Sequence, residues 1–182
     1  MSSKTKGQPV RGRRSWIPLL VLVMLVSLVL GCGESEAETA AKLAEENKAV
    51  VDRLWEAYNL HDPAILDEVC ADNFVHTDPP GGSFNLDELK FAITNVVLNA
   101  YPDARWDIDD VIAEGDEVVT HFTFSGTHEG ELMGIPPTGN KVSVTGTGIF
   151  RIVDGKIVEW TDNLDYLGMF QQLGMQLAPG EG

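Results

Sequence analysis

The chain has 182 residues, 43% of them hydrophobic and 23% charged, enough for one domain with a real core. Its formal net charge of −15 understates the acidity of the bulk: residues 1–32 hold five of the 13 basic residues and none of the 28 acidic ones, which leaves eight against 28, or −20, from residue 33 onward. Such a surface repels phosphate backbones and anionic lipid, which argues against nucleic-acid partners and against direct adhesion to a charged bilayer.

Lys4, Lys6, Arg11, Arg13 and Arg14 precede an apolar run from Trp16 to Leu30, the layout of a signal peptide. The run is shorter than the roughly 20 residues that span a bilayer, and it ends in Val29-Leu30-Gly31-Cys32. That ending resembles a bacterial lipoprotein signal with Cys32 as the lipidated residue, although Leu30 is off pattern for it. The expectation is an exported protein held at the cell envelope through its N-terminal lipid, outside the cytoplasm, with the route open between general and twin-arginine export. Residues 33–40 are acidic and lack apolar periodicity, so they read as a linker; 41–176 read as the domain and 177–182 as a flexible tail.

From Thr39 to about Leu60, Leu43, Val50, Val51, Leu54, Trp55 and Tyr58 recur at helical spacing, which predicts a long amphipathic helix. Asp62-Pro63 opens a shorter helix through Ala71, with Asp62 as N-cap and Pro63 in the first helical position. Cys70 falls in its apolar pattern with Ile65, Leu66 and Val69 and reads as a buried free thiol. Phe74 to Asp78 reads as a brief strand stopped by Pro79-Pro80-Gly81-Gly82. Asn85 and Glu88 form a capping box for a third helix reaching about Ala100, striped by Leu86, Leu89, Ile93, Val96 and Val97 and blocked by Pro102. The remainder is β-rich: 105–113, 117–125, 141–153 and 156–164, the last two joined by the hairpin signal Asp154-Gly155. A glycine- and proline-rich connection covers 126–140, and a short helix runs from Asp165 to about Leu173. Helices first and strands afterwards predict an α+β domain with the helices on one concave face of a curved antiparallel sheet.

The strand 156–164 carries the first chemical signal. Alternation puts Val158, Trp160, Asp162 and Leu164 on one face, and Ile157, Glu159, Thr161 and Asn163 on the other. The first face is apolar except for one carboxylate, and an ionised carboxylate there costs several kcal/mol unless it is paired, protonated or facing a cavity. Asp162 is therefore a candidate general acid or base, with capping of the following helix as the bland alternative. His76, Asp78, His121 and His128 have no zinc-like spacing, so no metal site is expected, and no nucleotide loop or nucleophile elbow occurs.

Several stretches together resemble one family: Phe74-Val75-His76-Thr77-Asp78-Pro79, Gly126-Thr127-His128-Glu129-Gly130, Gly134-Ile135-Pro136-Pro137-Thr138-Gly139, Phe150-Arg151-Ile152-Val153-Asp154-Gly155-Lys156-Ile157-Val158-Glu159 and Gln172-Leu173-Gly174. From about Asn47 to Gly174 the chain resembles SnoaL-like polyketide cyclases, also called ester cyclases, of the nuclear transport factor 2-like superfamily. The resemblance implies a cone of three or four helices on a strongly curved mixed sheet around a hydrophobic pocket, in a homodimer. It also implies ring closure by intramolecular aldol condensation with no metal or cofactor, one pocket aspartate serving as acid and base. Aligned on the Asp-Gly-Lys-Ile hairpin, that aspartate corresponds to Asp162. A histidine of some cyclases falls at Gly148 here, and a pocket asparagine falls at His76, which would take over its polar contact. Trp55, Tyr58, Phe74 and Trp160 are the further positions expected to meet a small hydrophobic ligand, with plain core packing as the alternative for the first three, while His128 belongs to the loop motif and serves either structure or substrate contact. Two functions compete: a cyclase-type enzyme acting on a hydrophobic carbonyl or ester compound, and an anchored ligand-binding module on the same fold that performs no chemistry.

Overall fold

A computed structural model describes residues 35–79 and 82–176. The signal-like leader, Cys32 and the tail from 177 lie outside the described residues. Helix α1 (Glu36–Leu60) buries Asn47, Val51, Leu54, Trp55, Ala57 and Tyr58 along one stripe. It starts inside the segment read as a linker: Glu36 and Glu38 occupy its first turn, where the helix dipole favours negative charge, and Ala37, Ala40 and Ala41 propagate it.

Asp62 caps a 3₁₀ turn (Pro63–Ile65) by accepting the Ala64 N–H at 3.1 Å, and α2 (Leu66–Val69) follows. The helix expected to reach Ala71 stops at Val69 because Cys70 pairs with Ile157 and opens β1 (Cys70–Asp78), so sheet pairing overrides the local helical spacing. Cys70 is nonetheless a buried free thiol. A three-residue β2 (Gly82–Phe84), too short to show any period, folds back on β1 with Phe84 opposite His76. Helix α3 (Leu86–Ala92) opens with both halves of the capping box, the Glu88 N–H donating to Asn85 Oδ1 at 3.0 Å and the Asn85 N–H to Glu88 Oε2 at 2.9 Å. A π-helical turn (Ile93–Val97) and α4 (Leu98–Ala100) complete that arm.

Four long strands follow: β3 (Arg105–Glu114), β4 (Glu117–Thr127), β5 (Lys141–Val153) and β6 (Lys156–Leu164), and then α5 (Tyr166–Gln172), capped by Asp165. The β5–β6 turn carries φ of 51° at Asp154 and 73° at Gly155, positive at both central positions as a two-residue hairpin demands. The open sheet has the order β2-β1-β6-β5-β4-β3 and is mixed, because β1 runs parallel to β6 while every other neighbour is antiparallel. Helix α1 packs across β3, β4 and β6. Its Trp55 ring meets those of Phe122, Phe150 and Trp160 at centroid distances of 4.8, 6.0 and 5.6 Å.

One irregularity changes which residues face the core. Arg151 pairs with Glu159 but Ile152 with Ile157, so Val158 is the extra residue of a bulge. Ile157, which simple alternation puts outside, is thereby turned inward and is fully buried.

Candidate functional site

Beyond the bulge β6 alternates regularly, and Trp160, Asp162 and Leu164 all face a cavity of about 330 Å³. Its walls come from every layer: Trp55 and Tyr58 of α1, His76 and Asp78 of β1, Ile93 and Val96 of the α3–α4 arm, Phe122 of β4, and Tyr166 and Phe170 of α5. The α1 aromatics reach it because they lie one helical turn apart on the buried stripe. Two glycines of β5 make the room: a Cβ on Gly146 would come within 2.4 Å of the Phe122 ring, and one on Gly148 within 2.9 Å of Phe150 and 3.0 Å of Trp160 Nε1. Gly148 pairs directly with Asp162. The place where the family resemblance puts a histidine is thus taken by the Trp160 and Phe150 rings, which stack at 5.3 Å.

Asp162 is not isolated. Its Oδ1 lies 2.7 Å from Nε2 of His76, a pairing between side chains 86 positions apart in sequence. Parallel pairing of β1 and β6 sets His76 opposite Trp160, so the imidazole lies one step from the carboxylate on the same sheet face. The ring is clamped by Phe84, stacked at 5.9 Å, and by Trp160, tilted at 4.3 Å. His76 is 6% exposed, and its Nδ1 has no partner. With Nε2 bonded to Asp162, Nδ1 is the ring nitrogen left without a protein partner.

Two residues that the strand pattern did not single out complete the polar lining. Asp78 follows His76 by two positions and so shares its face; its Oδ2 accepts the Tyr166 hydroxyl at 2.7 Å, while its Oδ1 is buried without a partner. Burial pushes the Asp78 carboxyl above its usual range; Tyr166 donation and the His76 ring oppose this, and the Asp162 charge adds to it. The same burial raises the phenols: Tyr58 well above its ordinary value, Tyr166 also upward, and Tyr101 to about 12. These three hydroxyls therefore remain neutral at any physiological pH. The indole N–H groups of Trp55 and Trp160 and the hydroxyl of Tyr101 also lack partners, so the cavity wall carries unused donors.

Trp55, Tyr58, His76, Trp160 and Asp162 are brought together, whereas Phe74 and His128 are not on the cavity wall. Phe74 lies one step before His76 on the same β1 face and is packed in the core. His128 is fully buried beneath the β4–β5 connection, where its Nδ1 accepts the Thr138 N–H at 3.2 Å and its backbone bonds to Asn140 and Gly139 at 2.9 Å each. Desolvation lowers its pKa, so it is a neutral strut that shapes the Gly-Ile-Pro-Pro-Thr-Gly loop. Among the described residues no three histidine, cysteine or acidic side chains converge as metal ligands would.

A profile of SnoaL-like polyketide cyclases matches residues 48–173. The chain belongs to the SnoaL-like polyketide cyclase family. An aklanonic acid methyl ester cyclase of Streptomyces peucetius is 32% identical over 141 residues, covering 73% of this chain and 94% of the relative. A nogalonic acid methyl ester cyclase of Streptomyces nogalater is 35% identical over 120 residues, covering 66% of this chain and 84% of its own length. Among solved structures, TsrD from Streptomyces laurentii superposes with a TM-score of 0.64 at 32% identity, over 71% of this chain and 96% of that one. The mixed sheet with its helices is accordingly the α+β cone of the nuclear transport factor 2-like superfamily.

Proposed function

We propose that this family member is a cyclase-type acid/base enzyme acting on a small hydrophobic carbonyl or ester compound, with Asp162 as the proton-transferring group. The observation that supports this most is a single one: a carboxylate held by a clamped imidazole in a cavity walled mainly by aromatic and aliphatic side chains. Asp162 takes a proton from the carbon α to a carbonyl, and the freed electron pair attacks a second carbonyl carbon and closes a ring. The new alkoxide recovers a proton, so the reaction is a net isomerisation whose balance requires no redox partner. His76 is a positioning residue: its bond to Oδ1 leaves Oδ2 to meet the substrate. Enclosure in a mostly apolar wall strengthens every such contact.

On the basis of the leader sequence, the protein is read as exported and anchored through Cys32, and on the basis of family resemblance as a homodimer that works without metal or cofactor. The test uses 2-acetylnaphthalene, whose methyl protons exchange slowly in neutral D₂O. Proton NMR should show exchange above the buffer rate with wild type and at the buffer rate with Asp162→Asn. Binding of the ketone with no accelerated exchange by wild type would reject the catalytic reading and leave a ligand-binding module.

A further inference from the structure

The cavity holds a second carboxyl that the single-aspartate scheme leaves idle. Asp78 stands on β1 and Asp162 on the adjoining parallel β6, and the register that pairs Thr77 with Thr161 brings the two acids onto neighbouring positions of one face. Both line the same cavity, yet they are held by different partners: Asp162 by His76 at 2.7 Å and Asp78 by the Tyr166 hydroxyl at 2.7 Å. Asp78 Oδ1 is the telling atom, since it is buried and has no partner in the protein. A bare carboxylate oxygen in such a wall is costly, whereas a carboxylic acid O–H directed at a ligand oxygen is satisfied as soon as the ligand arrives.

We propose that Asp78, gripped by Tyr166, is the proton donor to the ligand's carbonyl oxygen, while Asp162 beside it is the base. This rests on the acid/base reading given above and divides between two carboxyls what that reading gives to one. The Asp162 carboxylate removes the α-proton, and the carbon–hydrogen electron pair forms the carbon–carbon bond. The carbonyl π pair moves onto oxygen, which takes the proton of Asp78. Asp162 is left protonated and Asp78 ionised, and one proton passed between the neighbouring carboxyls resets the pair. No oxidant, reductant or metal enters the balance. The ligand class follows: a compound with a ketone or ester oxygen placed about one carboxyl width from an acidic C–H, on an aromatic or polycyclic frame that fits the cavity.

The groups facing Asp78 are His76 on its own strand, Asp162 on β6 and Tyr166 on α5, and the test must separate it from each. Tryptophan fluorescence reports binding, because Trp55, Trp106 and Trp160 line the cavity. The probes are 2-acetylnaphthalene and its hydrocarbon counterpart 2-ethylnaphthalene, each titrated from pH 4 to 8. Wild type should bind the ketone about tenfold tighter at the acid end, the worth of one good hydrogen bond, and this preference should fade as pH rises and Asp78 loses its proton. Asp78→Asn, which keeps an N–H donor at every pH, should make the preference independent of pH. Tyr166→Phe removes a donor that favours the ionised form, so the fading should move to higher pH. A preference that is flat in wild type, or that still fades in Asp78→Asn, would overturn the proposal while leaving the cavity and the role of Asp162 untouched. Failure of both naphthalenes to bind wild type would overturn the cavity reading and this inference together.

Discussion

The bond between His76 and Asp162 can be weighed by a double-mutant cycle of His76→Phe and Asp162→Ala, measured by urea and thermal unfolding at pH 7. The side chains are 7% and 17% exposed, so solvent screens the pair little. A hydrogen bond to a charged group contributes about 1.5–3 kcal/mol, and removing one partner leaves the other buried and unsatisfied at a similar cost. Phenylalanine retains the contacts with Phe84 and Trp160, so it isolates the lost bond from lost stacking. Each single substitution should therefore cost about 2–3 kcal/mol, and the double substitution little more than either, giving a coupling energy of about 1.5–3 kcal/mol. At roughly 4 °C per kcal/mol for a domain of this size, each single variant should melt about 8–12 °C below wild type. Asp162→Asn keeps an acceptor for Nε2 and should lose under about 1 kcal/mol, which makes it the clean probe of chemistry. A coupling energy below about 0.5 kcal/mol, within ordinary additivity error, would refute the pairing and with it the positioning role of His76.

Three further outcomes are expected. Mass spectrometry of membrane-extracted protein should find a mature N-terminal peptide beginning at lipidated Cys32, and Cys32→Ser should release the protein from the membrane fraction; a mature chain that retains residues 1–31 would rule out the anchor. Gly146→Ala, whose Cβ would sit 2.4 Å from the Phe122 ring, should cost about 1–3 kcal/mol and be partly rescued by Phe122→Leu, as thermal unfolding of the single and double variants will show. Burial pushes the Cys70 thiol up to about 12 from 9.0, so the native state keeps a proton that the unfolded chain gives up between those values. Stability should then fall as pH rises above 9, and the advantage of wild type over Cys70→Ala in urea unfolding should shrink by about 1–2 kcal/mol between pH 9 and pH 10.5.

Where a rule acts over a few residues, the sequence alone determined the outcome. The Asn85/Glu88 capping box, the Asp154-Gly155 hairpin, the Asp62 cap and the bounds of β5 and β6 are local hydrogen-bonding and backbone preferences, and the structure has each of them. The inward face of Trp160, Asp162 and Leu164 was legible for the same reason, since alternation along one strand is a local geometric fact. Asp78 was legible by that rule as well, two positions after His76, but a carboxylate next to a Pro-Pro-Gly-Gly sequence gives no sign that it is buried. What only the tertiary structure decided depends on which strands become neighbours. Pairing of β1 with β6 is parallel and joins segments some 80 residues apart; it draws Cys70 out of a helical pattern, sets His76 against Asp162 and aligns Asp78 beside it. The bulge at Val158 turns Ile157 inward, and ring packing from Trp160 and Phe150 fills the space over Gly148. No periodicity encodes these contacts, because each is fixed by the mutual fit of surfaces that meet only after the chain has folded.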